Sequence, residues 1–167
     1  MHTYLKPLSV FKTIVGYSSI SFALLFLIVG SLFEPVLIII GVLLSIIGVN
    51  IASTEGVQMD FKTKRYRTIW SVLGINLGKW LPAPDFEYVS VFRTNEVQQV
   101  NVASIPGRIV NEVIAVNAFY GNRHITFAQD KDKTKALRVA DKFRMAFGIP
   151  VLDATGEEKV WLYKEEL

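Results

Sequence analysis

The residue types that perform catalysis or bind metals are scarce in this chain of 167 residues. It contains no cysteine, which excludes a disulfide, a thiol nucleophile, an iron–sulfur cluster and a thiolate zinc site. The two histidines, His2 and His124, have no partners at the spacing of a metal site. Neither G-x-S-x-G nor H-E-x-x-H nor a glycine-rich phosphate loop occurs. We therefore predict no catalytic residue, no cofactor, no metal and no enzymatic activity.

Four basic residues form the cluster best suited to ligand recognition. Lys62, Lys64, Arg65 and Arg67 follow the pattern K-x-K-R-x-R. Basic residues near an anionic leaflet gain about 1 kcal/mol each, so the cluster is a candidate contact for lipid headgroups. The same residues also fit a topology signal or charges that protect an edge strand. The whole chain carries a net charge of only +3, which argues against a nucleic-acid partner.

Aromatic residues concentrate in the stretch that follows this cluster. Trp80, Tyr88 and Phe92 are candidates for a surface that contacts a protein partner, because aromatic side chains are favoured at the centres of interfaces. Core packing explains aromatic residues equally well, and we expect Trp70 to lie in the core.

Two uncharged apolar runs precede these residues. They cover residues 13–33 and 35–52, separated only by Glu34. A helix needs roughly 20 apolar residues to cross a bilayer, so both runs predict transmembrane helices. A signal peptide, a buried helical pair of a soluble domain and an in-plane pair are the alternatives. These three alternatives explain the second run less well than a transmembrane helix does, because that run is apolar on every side.

Basic residues predict how this helical hairpin is oriented. Lys6 and Lys12 precede the first run and the basic cluster follows the second, whereas the connection carries only Glu34. Lysine and arginine favour the cytoplasmic side, so both termini are predicted to be cytoplasmic. Small residues at four-residue spacing predict the contact between the helices. They are Ser19 and Ala23 in the first helix and Gly41 and Ser45 in the second.

The remainder of the chain, residues 55–167, predicts a folded domain of strands followed by one helix. Alternating residues indicate strands at 57–62, 65–70, 86–93, 97–102, 112–120, 123–129 and 159–163. Turns are expected at residues 63–64, at Pro106-Gly107 and at Gly121-Asn122. A helix is predicted over Lys133–Phe147, capped by Asp130 or Asp132 and ended by Gly148. The predicted domains are therefore residues 1–54 and 55–167.

This order resembles that of bacterial membrane-anchored PH-like domains over about residues 55–155. The resemblance rests on VQMDFKTKRYRTIW after the second apolar run, on GINLGKW and PDFEYVSVFR, and on the last helix before GIPVLD. It implies an α+β fold, with a bent antiparallel sheet or barrel of six or seven strands closed by the C-terminal helix. It also implies the bacterial inner membrane and no particular activity, since PH-like folds bind lipids, peptides or proteins.

These observations predict a membrane-tethered, non-enzymatic interaction module. Its partners would be the lipid bilayer and an unidentified membrane or cytosolic protein, or a second copy of the chain. Recognition of anionic headgroups by the basic cluster is the alternative. An accessory subunit of a larger membrane complex is a third reading, in which Glu34, at a turn that water reaches, has no transport role.

Overall fold

The chain divides into two compact units, and each unit is built from segments that are separated in the sequence. This computed structural model describes residues 1–102 and 105–162, without the side chains of residues 96–110. One unit comprises Met1–Tyr4, Gly56–Ile69 and Gly78–Leu167, and the other comprises Leu5–Glu55 and Trp70–Leu77. The predicted boundary at residue 54 lies beside one of these divisions. Two short segments depart from the predicted division. Met1–Tyr4 belongs to the unit that contains most of residues 55–167, and Trp70–Leu77 belongs to the unit that contains the two helices.

The second unit contains two apolar helices joined by a tight turn. Helix α1 spans Val10–Leu32 and helix α2 spans Pro35–Ala52. Helix α1 begins earlier than predicted because Ser9 caps it, its side chain accepting a hydrogen bond from the Lys12 amide. Both helices are long and apolar enough to cross a membrane. Only 17% of each apolar window is buried, whereas a core helix of a soluble domain is mostly buried.

Glycine residues bring the two helices into backbone contact. A Cβ atom added to Gly16 would lie 2.7 Å from the Ala52 nitrogen, and one added to Gly48 would lie 3.1 Å from the Gly16 oxygen. Apart from Ala52 near the end of α2, the buried small residues recur every seven positions. They are Gly16, Ala23 and Gly30 in α1 and Gly41 and Gly48 in α2. This spacing keeps one seam of each helix facing the other, as in coiled coils.

Contacts also join the two ends of this helical hairpin. The Lys6 amide donates to the Glu55 carbonyl oxygen at 2.9 Å, and the Thr54 hydroxyl donates to the Lys6 carbonyl oxygen at 2.7 Å. The Lys6 ammonium lies 3.1 Å from the Glu55 carboxylate. The chain therefore returns after α2 to the place from which it entered α1.

Ten strands form two five-stranded sheets among the described residues. In the first sheet β1 to β4 pair in sequence order and β5 pairs with β3. In the second the order is β10-β9-β6-β7-β8, with β9 parallel to β6. No ladder between described residues closes them into a barrel. The strands are β1 (His2–Leu5), β2 (Thr54–Asp60), β3 (Arg65–Val72), β4 (Ile75–Leu77), β5 (Leu81–Pro82), β6 (Tyr88–Val102), β7 (Ile105–Tyr120), β8 (Arg123–Asp130), β9 (Val151–Ala154) and β10 (Val160–Leu162).

The hairpin of β6 and β7 is longer than the sequence predicts. Two predicted strands, at 86–93 and 97–102, are one strand that pairs with β7 from Tyr88 to Val102. The pairing runs on to Val102 and Ile105, so the turn predicted at Pro106-Gly107 is wrong and both residues lie in the ladder. Strand β9 was not predicted, and β10 falls within the last predicted strand, whose final residue Tyr163 lies outside the described residues.

Helix α3 covers the inner face of the second sheet. It spans Lys133–Phe147 as predicted, with Asp132 accepting a hydrogen bond from the Thr134 amide and Gly148 ending the helix at φ 69°. Phe143 is fully buried and contacts the rings of Phe61, Phe86 and Phe127 at centroid distances of 4.9, 5.8 and 4.6 Å. The core is thus an aromatic cluster between α3, the second sheet and the chain around β2.

Candidate functional site

The turn between β2 and β3 is built by an aspartate and presents two lysines. Asp60 accepts one hydrogen bond from the Lys62 amide at 3.1 Å and another from the Thr63 hydroxyl at 2.7 Å. The Thr63 hydroxyl, followed by the Lys62 amide, holds the pKa of Asp60 below its usual value. Lys64 adopts a left-handed conformation at φ 50°. Its ammonium lies 5.5 Å from the centre of the Phe147 ring, while both lysine side chains remain exposed.

The two arginines of the predicted cluster have structural partners instead. The Arg67 guanidinium lies 4.7 Å from the Trp80 ring and donates to the Gln58 side-chain oxygen at 2.7 Å and to the Gly78 carbonyl oxygen at 3.3 Å. Arg65 donates to the Trp80 carbonyl oxygen at 3.4 Å. Arg65 and Arg67 therefore hold the segment that enters β5. Lys62, Lys64 and Arg65 carry the exposed charge of the cluster, whereas Arg67 is half-buried.

Replacing Arg67 with methionine is expected to destabilise the fold by about 1–3 kcal/mol, because the buried Gln58 oxygen loses its charged partner. Arg67→Lys should recover little of this stability, since an ammonium does not reproduce the planar stacking and the paired hydrogen bonds. Lys62→Met removes an exposed charge and serves as the control. Thermal unfolding of the full chain in mild detergent, followed by tryptophan fluorescence, measures the difference. Equal melting temperatures for the Arg67 and Lys62 variants would contradict this role.

Four rings form a row on the outer face of the second sheet, which we call the aromatic row: Trp161, Tyr88, Phe119 and His124. Tyr88 stacks on Phe119 with centroids 4.7 Å apart and planes 5° apart. Phe119 lies 5.3 Å from the His124 ring, and Tyr88 meets the edge of the Trp161 ring at 5.6 Å. Cross-strand pairing produces the row, because Tyr88 pairs with Phe119 and Phe119 with His124.

The aromatic row includes only one residue of the predicted partner surface. Tyr88 lies within it, and Phe92 is half-buried and four residues further along β6. Trp80 lies against the Arg67 guanidinium in the loop between β4 and β5. The sequence does not predict Phe119 or Trp161 as residues of this surface. Alternation along β7 could have indicated that Phe119 lies on the face opposite the buried Ala118, although Asn117, which shares the face of Phe119, is itself buried. Nothing local in the sequence indicates the place of Trp161.

The first strand docks on β8 through two side chains. The Tyr4 hydroxyl donates to the Gln129 side-chain oxygen at 2.6 Å, and the His2 Nε2 atom lies 2.7 Å from the Phe127 carbonyl oxygen. A carbonyl oxygen only accepts, so Nε2 carries the proton in this bond. Burial lowers the pKa of His2 and favours its neutral form. Beside them lies a cavity of about 280 Å³ lined by β1, β8 and α3.

The residues predicted at the helix contact have different surroundings. Gly41 and Ala23 approach closely, since a Cβ atom on Gly41 would lie 3.1 Å from the Ala23 oxygen. Ser19 and Ser45 are half-buried, and their hydroxyls donate to the Val15 and Gly41 carbonyl oxygens of their own helices. Glu34 precedes α2 as an exposed residue without a side-chain capping bond.

Among the side chains that the structure describes, no group of three or more histidine, aspartate or glutamate residues could hold a metal ion. The described surface includes the exposed lysines and the aromatic row. Comparison of the chain with known protein families, with curated proteins and with solved structures finds no match.

Proposed function

We propose that this protein is a membrane-tethered, PH-like interaction module without enzymatic activity. It holds a protein partner, or a second copy of itself, at the cytoplasmic face of the membrane. The observation that carries this proposal is the aromatic row, which crosses four strands of the second sheet on the face opposite the core. An anchor on one unit and a ring-lined surface on the other are the parts that such a module needs.

Tethering rests on the two apolar helices. Their residues are largely uncovered by the rest of the chain, and hydrocarbon is the environment that favours such a surface. The Lys6–Glu55 contacts keep both ends of the helical hairpin together, which supports placing them on one side. Lysine and arginine near these ends favour the cytoplasmic side of an inner membrane. A reporter fused after Leu167 should be active only in the cytoplasm, and one inserted at Glu34 only outside it.

The chemistry of the aromatic row suits a protein contact. Tyrosine, tryptophan and phenylalanine are enriched at the centres of protein interfaces, where they bury a large area at a small cost in conformational freedom. Tyr88 and Phe119 hold each other in place by stacking, so little ordering remains for a partner to impose. His124 and Trp161 are exposed at the two ends of the row, so a partner can reach both rings.

Extraction of the full chain from its native membrane in mild detergent tests this function. We expect the chain to elute with a stoichiometric protein or as an oligomer of defined size. Phe119→Ala combined with Trp161→Ala should abolish that association, because it removes two rings of the row. Met145→Ala, at a residue exposed on α3, should leave it unchanged. A chain that elutes alone and monomeric under several gentle conditions contradicts the proposal.

Recognition of anionic headgroups is the second candidate, and the exposed Lys62 and Lys64 favour it. The full chain is reconstituted into nanodiscs of neutral or anionic lipid, and the rate at which an amine reagent modifies each lysine is measured by mass spectrometry. Modification of Lys62 and Lys64 should slow severalfold in anionic discs, and added salt should reverse the effect, since salt screens exposed charges. Lys131, exposed before α3, is the control. Equal rates in both lipids would eliminate this function.

A further inference from the structure

Residues Trp70–Leu77 of β3 and β4 form a two-stranded ribbon, which we call the apolar ribbon. Its apolar side chains face outward and its polar side chains face inward, the reverse of an ordinary sheet surface. Cross-strand pairs join Trp70 to Leu77, Ser71 to Asn76 and Val72 to Ile75. One face therefore carries Trp70, Val72, Ile75 and Leu77, and the other carries Ser71 and Asn76. The apolar face is the exposed one: Trp70 is 37%, Ile75 60% and Leu77 55% exposed, whereas Ser71 is buried.

The turn of this ribbon adds a further apolar side chain under strain. Leu73 and Gly74 both have positive φ values, 52° and 80°, as a two-residue turn of type I′ requires. Asparagine, aspartate or glycine normally occupies the first of these positions, and a bulky residue there is an outlier. Leu73 nevertheless stands at the tip with 52% of its surface exposed. Backbone strain of this kind, kept at an exposed tip, indicates a role for the side chain outside the fold.

We propose that the apolar ribbon inserts into the surface of the same bilayer that α1 and α2 span, which rests on the membrane tether proposed above. The ribbon belongs to the compact unit that contains both helices. It is uncharged from Thr68 to Gly78, and Arg67 and Lys79 flank this stretch. An apolar tip with basic residues at its base matches the layering of a membrane, with hydrocarbon below anionic headgroups.

Lipid explains these features better than burial in a protein interface would. Tryptophan prefers the boundary between headgroups and hydrocarbon, and Trp70 lies at the base of the ribbon while Leu73 and Ile75 lie at its tip. A fluid acyl boundary also accepts an irregular set of exposed aliphatic side chains without a complementary shape. The apolar ribbon would then make a second contact with the bilayer, shallower than that of the two helices, and this contact would restrict the orientation of the protein on the membrane.

Site-specific probes on the full chain test this insertion, because the absence of native cysteine makes an introduced thiol unique. An environment-sensitive fluorophore is attached to Ile75→Cys at the ribbon, to Asn122→Cys in the exposed turn before β8, or to Ile39→Cys on the exposed face of α2. Each variant is reconstituted at one chain per nanodisc, so that a second copy cannot cover the probe. Iodide in the buffer and nitroxides at two depths in the lipid are the quenchers.

Insertion predicts that iodide quenches the probe at Ile75 severalfold less than the probe at Asn122, and that a nitroxide near the headgroups quenches it strongly. The probe at Ile39 should respond to the deep nitroxide. If Ile39 behaves so while Ile75 is quenched by iodide as readily as Asn122, the tether stands and ribbon insertion is wrong. Protection of Ile75 from iodide without quenching by either nitroxide would mean that protein covers it, which also overturns insertion. A probe at Ile39 that only iodide reaches would overturn the tether, and insertion with it.

Discussion

Replacing Phe143 with alanine is expected to lower the free energy of unfolding by about 3–5 kcal/mol, because the substitution removes a buried ring and leaves a cavity. Phe143 is fully buried and lies within 6.0 Å of four other ring centroids. These rings come from α3 itself, from β8 and from the chain around β2 and β6, so the cavity would open where the layers meet. Domains are stable by only about 5–15 kcal/mol, and the variant should be partly unfolded at ordinary temperature.

Denaturant unfolding of the full chain in mild detergent, followed by tryptophan fluorescence, measures this loss. Met145→Ala is the matched control, because Met145 lies on the same helix but is 66% exposed. Its unfolding should differ from wild type by no more than about 0.5 kcal/mol. If both variants unfold at the same denaturant concentration, α3 does not cover the core as described.

Replacing Gly48 with leucine is expected to separate α1 from α2 over part of their length. A Cβ atom at this position would lie 2.8 Å from the Ile20 Cγ1 atom and 3.0 Å from the Ile20 nitrogen, so the backbones must move apart. Close backbone approach at small residues is what holds membrane helices together, since lipid competes equally for apolar side chains. Overpacking of this kind costs about 1–3 kcal/mol.

Disulfide formation between cysteines placed at Lys6 and Glu55 reports on the two ends of this helical hairpin. The Lys6–Glu55 ion pair that they replace is exposed, so its loss should matter little. We expect Gly48→Leu to reduce the yield of the disulfide severalfold. Ser21→Leu adds a similar volume to an exposed position of α1 and should leave the yield unchanged. Equal disulfide yields for the Gly48→Leu and Ser21→Leu variants would contradict the expected separation of α1 from α2.

Local signals in the sequence determined the helices and turns, whose hydrogen bonds join residues that are close together in the chain. The two apolar runs predicted α1 and α2 because a helix satisfies its own backbone hydrogen bonds. The limits of α3 followed from an aspartate cap and a glycine in the left-handed conformation. The turn at Gly121-Asn122 lies where the sequence predicts it, with Gly121 at φ 52°. The caps and the turn act over a few residues, and each apolar run acts within one helix.

Only the tertiary structure decided which faces are covered and which residues meet. Trp70 was expected in the core, yet its neighbour Ile69 is buried and Trp70 is exposed, because alternation along β3 indicates two faces without indicating which one packs. Strand order brought Trp161 beside Tyr88. The sequence predicts Arg67 as part of a ligand cluster, but contact with Trp80 and Gln58 gives it a structural role. The physical reason is the same throughout, since these contacts depend on distant segments whose positions no local pattern encodes.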